Sequence, residues 1–288
     1  MGKHVVLCPN PYRDIGLSYT KRAKQLLEES GHEVVVSMIY GTDKENPVFP
    51  LDINPVPLEH SLSGAGLLVS FGGDGTILHT ARAATHTRVP IIGVNLGSKG
   101  FMAELEPFEL ERLSHAAAGL YTPENRMMLD VKLVRAGRDV YTECALNDAV
   151  VHGVVNVIRI EALGDGRTIS NFSGDGVIVA TPTGSTAYSM AAGGPLVEPS
   201  ASNIILTPVC SHALMARSFV LAPERAVTLR LGELGGKQAI LSVDGTDSVN
   251  LESWDEVQIC RSENQTLLAH VGHKSFYDIA FEKLGERK

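Results

Sequence analysis

The sequence predicts an α/β domain followed by a mostly-β domain, because strand-like and helix-like segments alternate in its first third and short apolar runs separated by turn residues fill the rest. Its length of 288 residues suits two domains, at roughly 150 residues per domain. We expect the α/β domain over 1–125, the β-rich domain over 126–270, and a carboxyl-terminal helix within 271–288 that packs back on the first domain.

In the first domain, apolar runs and helix signals follow one another along the chain. Buried strands are expected at 5–7, 34–36, 67–71 and 90–94. One helix is expected between Ser18, which can cap its start, and Gly31, which can close it; others are expected at 77–84 and between Pro107 and Gly119. Strands that alternate with helices indicate a parallel sheet of the doubly wound kind.

The second domain has the pattern of short strands with one helix among them. Apolar, β-prone runs lie at 131–134, 149–151, 154–160, 177–179, 204–206, 227–231 and 240–243. One helix is expected near 185–192, and the tail at 276–284 also has a helical pattern. The many strands and few helices predict a predominantly β architecture for this part of the chain.

Composition argues against several functional classes. The formal net charge is −8 and aromatic residues make up 6% of the chain, whereas nucleic-acid binding needs clustered basic residues and aromatic stacking platforms. No apolar run approaches the roughly 20 residues that span a bilayer, and the amino terminus lacks a signal-peptide pattern. The cysteines are scattered without a C-x-x-C pair. These features predict a cytoplasmic protein with no nucleic-acid or membrane partner and no structural zinc.

The strongest local signal is Gly72-Gly73-Asp74-Gly75-Thr76, between a predicted buried strand and a predicted helix. Glycines let the backbone turn tightly and approach a ligand, and the helix amino terminus that follows attracts phosphate. An aspartate in such a cradle indicates a group that handles a proton or a metal. The chain has no G-x-x-x-x-G-K-[ST] sequence, so the segment is not a P-loop. A plain strand-to-helix turn is the alternative interpretation.

Loops like GGDGT occur in phosphofructokinases, diacylglycerol-type lipid kinases and NAD kinases, and further motifs distinguish these families. Residues 181–189 (TPTGSTAYS) together with 192–195 (AGGP) resemble the long signature of NAD kinases. Shorter stretches are also similar to motifs of that family, at 93–97 with 100–102, at 147–148 and at 173–176. The similarity extends in the family's order from about residue 67 to residue 246.

The resemblance implies an NAD kinase, which transfers the terminal phosphoryl group of ATP to the 2′-hydroxyl of the adenosine ribose of NAD and yields NADP. The family uses a divalent metal, expected here to be Mg²⁺, and some members accept polyphosphate as the donor. Its members form homodimers or homotetramers with the NAD site near a subunit interface. The sequence leaves open ATP against polyphosphate, NAD against NADH, dimer against tetramer, and feedback by NADP or NADPH.

The resemblance also implies roles for individual residues. Asp74 occupies the catalytic position, where it either accepts the hydroxyl proton or acts by orienting the hydroxyl or holding metal, because a carboxylate is a weak base for a ribose hydroxyl. The phosphate loop comprises Gly72, Gly73, Gly75 and Thr76. The expected NAD-binding residues are Asp74, Gly75, Phe101, Asn147, Asp148, Asp175, Thr186, Ala187, Tyr188, Ser189, Met190 and Ala191. Further contacts are expected at His212, Asp244 and Thr246.

Some of these positions also allow a structural interpretation. Phe101 and Tyr188 can be read as core aromatics, and His212 as a structural histidine. Three residues depart from the family pattern: Ala191 in place of Ser, Ser218 in place of Pro, and Thr246 in place of Gln. These departures bear on affinity and donor preference rather than on Asp74. The alternative functions are another GGDGT-type kinase, for a lipid or a sugar phosphate, and a non-catalytic dinucleotide-binding regulator.

Overall fold

The computed structural model describes residues 4–38, 50, 52–97, 100–212, 217–246, 248–272 and 275–285. The chain divides into two compact units: unit 1 comprises Met1–Asn125 and Thr266–Lys288, and unit 2 comprises Arg126–Gln265. The chain therefore returns to unit 1 at Thr266, inside a strand, whereas the sequence placed this return at 271. No helix in the described part of the chain is long and apolar enough to cross a membrane.

Unit 1 contains a parallel sheet and its flanking helices. The strands are β1 (His4–Pro9), β2 (Val34–Met38), β3 (Val56–Pro57), β4 (Ala65–Gly72) and β5 (Ile91–Asn95). The helices are α1 (Ser18–Glu29), α2 (Leu58–Ser61), α3 (Asp74–Ala83), α4 (Leu113–Ala117) and α6 (Phe276–Leu284), with 3₁₀ turns at Ile15–Leu17 and Pro107–Arg112. The strand order is β3-β2-β1-β4-β5, and every neighbouring pair is parallel.

The strand order of unit 1 determines where a ligand can bind. β1 and β4 are neighbours at the centre of the sheet, and their apolar runs are buried on both faces, as parallel strands require. The order of the strands along the chain reverses between these two. In open α/β sheets, ligands bind outside the carboxyl ends of the strands at such a reversal. The segments that follow β1 and β4 are therefore the expected site.

The start of α1 corrects the sequence-based assignment of its cap. Ser18 was expected to cap this helix, but it is the first helical residue, and the buried carboxylate of Asp14 takes that role. Asp14 accepts hydrogen bonds from the backbone N–H groups of Tyr19 and Thr20, at 3.0 and 2.9 Å. A carboxylate at a helix start satisfies free N–H groups and interacts with the positive end of the helix dipole. Gly31, with φ of 84°, ends the helix as expected.

Unit 2 is built from antiparallel strands. Including two strands that begin or end in unit 1, they are β6 (Thr122–Arg135), β7 (Arg138–Ala145), β8 (Asp148–Val154), β9 (Ile158–Gly164), β10 (Arg167–Gly174), β11 (Gly176–Ala180), β12 (Ile204–Val209), β13 (Phe219–Leu221), β14 (Val227–Leu231), β15 (Gln238–Val243), β16 (Val249–Leu251) and β17 (Glu256–His270). One sheet has the order β13-β12-β11-β8-β15-β16, and the other contains β10-β9-β14-β17. Between β11 and β12 lie a 3₁₀ turn at Gly184–Thr186 and the short helix α5 (Tyr188–Ala191).

The core of unit 2 explains its sequence pattern. In β14 the alternate residues Val227, Leu229 and Leu231 face a shared apolar core, which is the period of a strand with one buried face. In β11 the odd-numbered residues join that core, whereas Ile178 and Ala180 pack in a second cluster on the other face. Burial on both faces accounts for the unbroken apolar run that predicted this strand.

The apolar run at 154–160 was expected to form one strand, and the structure contradicts this. β8 ends at Val154 and β9 begins at Ile158, with a turn between them. Val155 has φ of 63° and is 97% exposed. A Cβ on Gly153 would lie 2.0 Å from the backbone oxygen of Asn156, so the chain turns back tightly at this point. The periodicity of apolar residues carried no sign of this turn.

Candidate active site

The GGDGT segment (72–76) links β4 to α3 at the carboxyl edge of the parallel sheet. Asp74 is the first residue of α3, and Gly75 is exposed at its first turn. Asn10 follows the neighbouring strand β1 and donates its side-chain amide to the hydroxyl oxygen of Thr76, at 3.2 Å. Thr76 is buried, so it supports the loop from inside while Asp74 and Gly75 remain accessible.

The Asp74 carboxylate is held in place by backbone groups. Its Oδ2 accepts a hydrogen bond from the N–H of Phe101 at 2.7 Å, and its Oδ1 accepts one from the N–H of Met102 at 3.1 Å. A Cβ on Gly100 would lie 1.9 Å from Oδ1, so only glycine allows this close approach. An ionised carboxylate has about four lone-pair positions, and both oxygens can therefore still accept a hydrogen bond from a ligand hydroxyl.

The aromatic ring of Phe101 contacts the carboxyl-terminal helix. Its centroid lies 6.3 Å from that of Phe276, and the Nζ atom of Lys283 lies 4.2 Å from it, over the ring face. Lysine over an aromatic face is a favourable cation–π arrangement. Phe101 is half-buried, so part of the ring remains open to a ligand, and its expected contact with NAD stays a prediction.

In unit 2 the Asn147–Asp148 turn is organised by one carboxylate. Asp244 accepts hydrogen bonds from three consecutive backbone N–H groups, those of Leu146 at 2.7 Å, Asn147 at 2.8 Å and Asp148 at 3.0 Å. Asp244 itself adopts a left-handed conformation, with φ of 51°, which aspartate and asparagine tolerate better than most residues. Its backbone N–H also donates to the Asp148 carbonyl at 2.9 Å.

The start of the long signature packs directly on this turn. The Thr181 hydroxyl donates to the Leu146 carbonyl at 2.6 Å, and the Thr181 N–H donates to the Asn147 carbonyl at 2.8 Å. The Gly184 N–H donates back to the Thr181 hydroxyl at 3.1 Å. A Cβ on Gly184 would lie 2.1 Å from the Asn147 carbonyl oxygen, so this contact requires glycine. The two motifs, separate in sequence, are therefore joined by hydrogen bonds and close packing.

Asn147 and Asp148 are polar residues that are almost completely buried. Only 8% of Asn147 and 6% of Asp148 are exposed, and the Oδ1 atom of Asn147 has no hydrogen-bond partner among the described residues. Burial raises the pKa of Asp148 to about 7, and the charge of Asp244 adds to this effect. Buried polar groups normally find partners. An amide and a near-neutral carboxyl can together donate to and accept from a purine or ribose edge.

The rest of the long signature is part exposed and part buried. Tyr188 is 40% exposed at the start of α5, and the next residue, Ser189, is buried with its hydroxyl bonded to that of Thr207 at 3.1 Å. The Thr186 hydroxyl donates to the Thr183 carbonyl at 3.1 Å. The remaining expected contacts on this segment are the half-buried Ala187 and Met190 and the exposed Ala191. Tyr188 and Ala191 are thus accessible to a ligand, whereas Ser189 supports α5 from inside.

The structure does not bring Asp175 together with Asn147 and Asp148. Asp148 pairs with Ala180 at one end of β11, and Asp175 precedes the other end. At about 3.3 Å per residue, the two ends of this pairing are separated by roughly 17 Å. Asp175 accepts a hydrogen bond from the Cys210 thiol, which raises the pKa of that thiol. The exposed His212 also lies at this end.

Thr246 belongs to the turn between β15 and β16. Its hydroxyl donates to the Val243 carbonyl at 2.7 Å, and its backbone N–H donates to the same carbonyl at 3.0 Å. The residue is half-buried. It therefore closes the turn that presents Asp244, and its expected contact with a ligand stays a prediction.

Sequence reasoning missed several residues that shape the site. Asn10, Gly100, Met102 and Thr181 all contact an expected site residue or its loop, and none was assigned a role. Asn10 had a usable signal, since it lies three residues after a predicted strand of a parallel sheet. Among the described residues, no group of three or more His, Cys, Asp or Glu side chains is arranged to hold a metal ion.

Comparison with known families covers both units. The family model described as ATP-NAD kinase N-terminal domain matches residues 5–124, and the one described as ATP-NAD kinase C-terminal domain matches residues 146–271. An NAD kinase of Caldanaerobacter subterraneus subsp. tengcongensis is 35% identical over 288 residues, which cover 99% of this chain and 100% of the relative. An NAD kinase of Ruminiclostridium cellulolyticum is 31% identical over 289 residues, 99% of each chain.

Two solved structures have a similar fold. Yeast NADH kinase complexed with NADH has a TM-score of 0.85 and 24% identity, and the match covers 100% of this chain and 89% of the other. An NAD kinase from Archaeoglobus fulgidus in complex with ATP has a TM-score of 0.75 and 24% identity over 98% of each chain. At this identity the likeness concerns the fold, and it agrees with the α/β and β-rich parts predicted from the sequence.

Proposed function

This chain belongs to the NAD kinase family, and from that premise we propose that Asp74 is the residue at which it transfers the terminal phosphoryl group of ATP to the 2′-hydroxyl of the adenosine ribose of NAD, giving NADP. The observation that carries this role is the placement of the carboxylate. It lies at the first residue of α3, and two backbone N–H groups fix the orientation of its oxygens.

In the proposed reaction the ribose 2′-oxygen attacks the γ-phosphorus of ATP. The bond from that phosphorus to the β–γ bridging oxygen breaks, and ADP leaves with the electron pair. The hydroxyl proton passes to the Asp74 carboxylate and from there to water. Because phosphoryl transfer depends mainly on positioning and on charge neutralisation, the main contribution of Asp74 is to orient the hydroxyl. The amino terminus of α3 provides a favourable environment for the phosphate oxygens.

We propose that Asp74 would help to hold a divalent metal ion bound to the phosphates of ATP. Mg²⁺ is usually bound by substrate phosphates together with one or two protein carboxylates. Asp74 fits as such a carboxylate, because it offers oxygen ligands beside the helix amino terminus where phosphate is favoured. When bound, the ion would neutralise charge on the phosphates. Asp74 would then hold both the ion and the hydroxyl in place.

We propose that Asn147 and Asp148 bind the adenosine part of NAD. The unpartnered Oδ1 of Asn147 and the buried Asp148 carboxyl provide hydrogen-bonding groups in an enclosed setting, where a matching ligand gains most. Tyr188, at the start of α5 in the long signature, adds an exposed aromatic face. Asn147, Asp148 and Tyr188 therefore determine affinity for NAD, whereas Asp74 determines the rate of transfer.

We propose that the protein is a cytoplasmic homodimer or homotetramer in which Asp175 serves the NAD bound to a neighbouring subunit. Asp175 lies at the end of β11 opposite Asp148, a placement that is compatible with such sharing. The cysteines are all free thiols, which supports a reducing compartment. A complementation experiment tests the sharing: Asp74→Asn and Asp175→Ala proteins, each inactive alone, should regain activity when their subunits exchange. Mixed oligomers that stay inactive would place Asp175 in the same subunit's site.

The activity itself is tested by incubating the purified protein with NAD, Mg²⁺ and ATP and measuring NADP through an NADP-specific dehydrogenase. We expect NADP from the wild type and at least about a thousandfold less from Asp74→Asn, with NAD affinity changed less than about tenfold. Replacing ATP by polyphosphate, and NAD by NADH, then defines donor and acceptor. An Asp74→Asn protein that kept most of its rate would refute the assignment. A protein that binds NAD but makes no NADP would be a regulator.

A further inference from the structure

We propose that Glu104 is a positioning residue for Asp74, because it fastens the segment 101–105 to the residues that follow β17 and so keeps the Phe101 and Met102 N–H groups on the Asp74 carboxylate. The proposal rests on the catalytic role of Asp74 given above. No motif of the sequence pointed to Glu104. Its effect would be exerted through the backbone.

Glu104 makes an unusually complete set of contacts for one side chain. Its Oε1 accepts hydrogen bonds from the backbone N–H groups of Val271 at 2.8 Å and Gly272 at 2.5 Å. Its Oε2 lies 2.7 Å from Nδ1 of His270, and only 12% of its side chain is exposed. A Cβ on Gly272 would lie 2.9 Å from Oε1, so the approach is close. This carboxylate therefore binds three consecutive residues at the end of β17.

The link from Glu104 to Asp74 is short and constrained. Met102, whose N–H reaches Asp74, is two residues before Glu104 and is buried. The N–H groups of Glu104 and Leu105 both donate to the Gly93 carbonyl at 3.0 Å. The segment is thus fixed to β5 by its backbone and to β17 by a side chain. Displacement at Glu104 would be transmitted to the Asp74 carboxylate over two residues.

At the amino-terminal end of the segment 101–105, Phe101 also contacts the carboxyl-terminal part of the chain. The Phe101 ring contacts Phe276 and lies under the Lys283 ammonium, and both residues belong to α6. The backbone N–H that binds Asp74 Oδ2 therefore belongs to a residue whose side chain is also held. His270, Val271 and Gly272 hold one end of the segment, and Phe276 and Lys283 contact the other. The carboxyl-terminal part of unit 1 therefore has a role in the geometry of the site.

The charge on His270 strengthens this fastening. His270 lies between Glu104 and Glu124, with Nε2 at 2.5 Å from Glu124 Oε2. Hydrogen bonds to Glu104 and Glu124 raise the pKa of His270 to about 9. Burial of Glu104 acts to raise its pKa, but the bonds from His270 and Gly272 outweigh this and lower it. Other charged groups line the adjoining cavity of about 400 Å³: Glu106, Glu109, Arg112, Asp278 and Glu282.

Glu104→Gln and Glu104→Ala test the proposal, with Glu124→Gln as the matched control. Glu124 binds the same histidine through the other ring nitrogen, whereas Glu104 also accepts the N–H groups of Val271 and Gly272. Loss of the Glu124 carboxylate should therefore leave kcat at pH 7.5 within about twofold. For Glu104→Gln we expect kcat to fall about tenfold, and further for Glu104→Ala, with KM for NAD within about twofold. In the wild type, kcat should decline above pH 9 as His270 loses its charge. His270→Gln should lack that decline.

A second readout does not depend on activity. Hydrogen exchange of the peptide covering 100–106 should be at least about tenfold faster in Glu104→Gln than in wild type or Glu124→Gln, because the Phe101 and Met102 N–H groups would open more often. Faster exchange together with unchanged kcat would overturn the positioning role. Unchanged exchange would overturn the fastening itself. If the wild type made no NADP, the proposed function would fail while the exchange result still decided whether the segment is fastened.

Discussion

In unit 1 the proposed catalytic carboxylate, Asp74, itself accepts hydrogen bonds from the backbone. In unit 2 the backbone of the proposed binding residues donates instead to a separate carboxylate, that of Asp244. Asp74 accepts two N–H groups from a segment that follows β5. Asp244 accepts hydrogen bonds from the three N–H groups of 146–148. The side chains of Asn147 and Asp148 are therefore not needed to hold this backbone. The first arrangement fixes the orientation of one carboxylate, that of Asp74. The second fixes a backbone so that its side chains can meet a ligand.

The difference matches the chemistry assigned to each region. Transfer to a hydroxyl depends on the position of one group relative to the reacting atoms. Binding of a dinucleotide depends on several donors and acceptors that are left unsatisfied until the ligand arrives, as the Oδ1 of Asn147 is. We therefore expect substitutions around Asp74 to lower kcat and substitutions around Asp244 to raise KM for NAD.

The largest effect is expected from Gly100→Ala. Its Cβ would lie 1.9 Å from Asp74 Oδ1, so the carboxylate or the segment must move. We expect kcat to fall about a thousandfold, or about 4 kcal/mol, with a smaller change in KM. Gly97→Ala is the matched control, because among the described residues its Cβ would approach the flexible end of Arg13, at 3.1 Å. Steady-state kinetics give kcat for both variants, and melting curves show whether both are folded. Equal values of kcat in the two variants would contradict the role given to Gly100.

Asp148→Asn should change how stability depends on pH. Burial raises the Asp148 pKa to about 7 from its ordinary 3.8, so the folded state holds a proton that the unfolded state releases. Wild-type stability is therefore lost as pH rises from about 4 to about 7, and the asparagine variant escapes this loss. Its advantage in urea denaturation should grow by on the order of 2–3 kcal/mol between pH 5 and pH 8.

Asp165→Asn is a control for that experiment, because the pKa of Asp165 is shifted in the opposite direction. The Ala226 N–H and the Arg225 guanidinium lower the pKa of this exposed carboxyl. Its stabilising contribution is present above its ordinary pKa and is lost as the pH falls, so the substitution gains nothing at pH 8. If the two variants had the same pH dependence, burial of Asp148 would not be the cause.

Asp244→Asn tests the organising carboxylate of unit 2. Asparagine tolerates the left-handed backbone at this position but offers one acceptor oxygen instead of two. One of the three N–H bonds should therefore be lost, and KM for NAD should rise about tenfold, or ~1.4 kcal/mol, with kcat little changed. A fall in kcat without a change in KM would mean that this region acts on transfer rather than on binding.

The smallest effect is expected from Tyr188→Ala. The ring is 40% exposed, so the loss removes a ligand contact more than core packing. We expect KM for NAD to rise about threefold to fivefold, under ~1 kcal/mol, without a change in melting temperature. A lower melting temperature with an unchanged KM would restore the interpretation of Tyr188 as a core aromatic.

Local patterns determined much of this protein. The alternation of apolar runs with helix signals predicted the parallel sheet of unit 1, and short apolar runs predicted β6, β8, β11, β12, β14 and β15, because burial on one or both faces of a strand is recorded in adjacent residues. No such run predicted β7, β10, β13, β16 or the long β17. The GGDGT and long-signature motifs indicated the family, since a phosphate cradle and its glycines are also contiguous. Turns such as the one at Val155 escaped prediction, because no period records them.

Only the tertiary structure decided which carboxylates accept hydrogen bonds from which backbone segments. Asp244 reaches a turn about 100 residues before it, and Glu104 reaches His270 across 166 residues. Such pairings follow from the order of strands in the sheets, which local periodicity does not specify. The same is true of the separation of Asp175 from Asp148, set by the antiparallel pairing of β11 with β8. Sequence thus determined the elements and the motifs, and sheet order determined which functional groups meet.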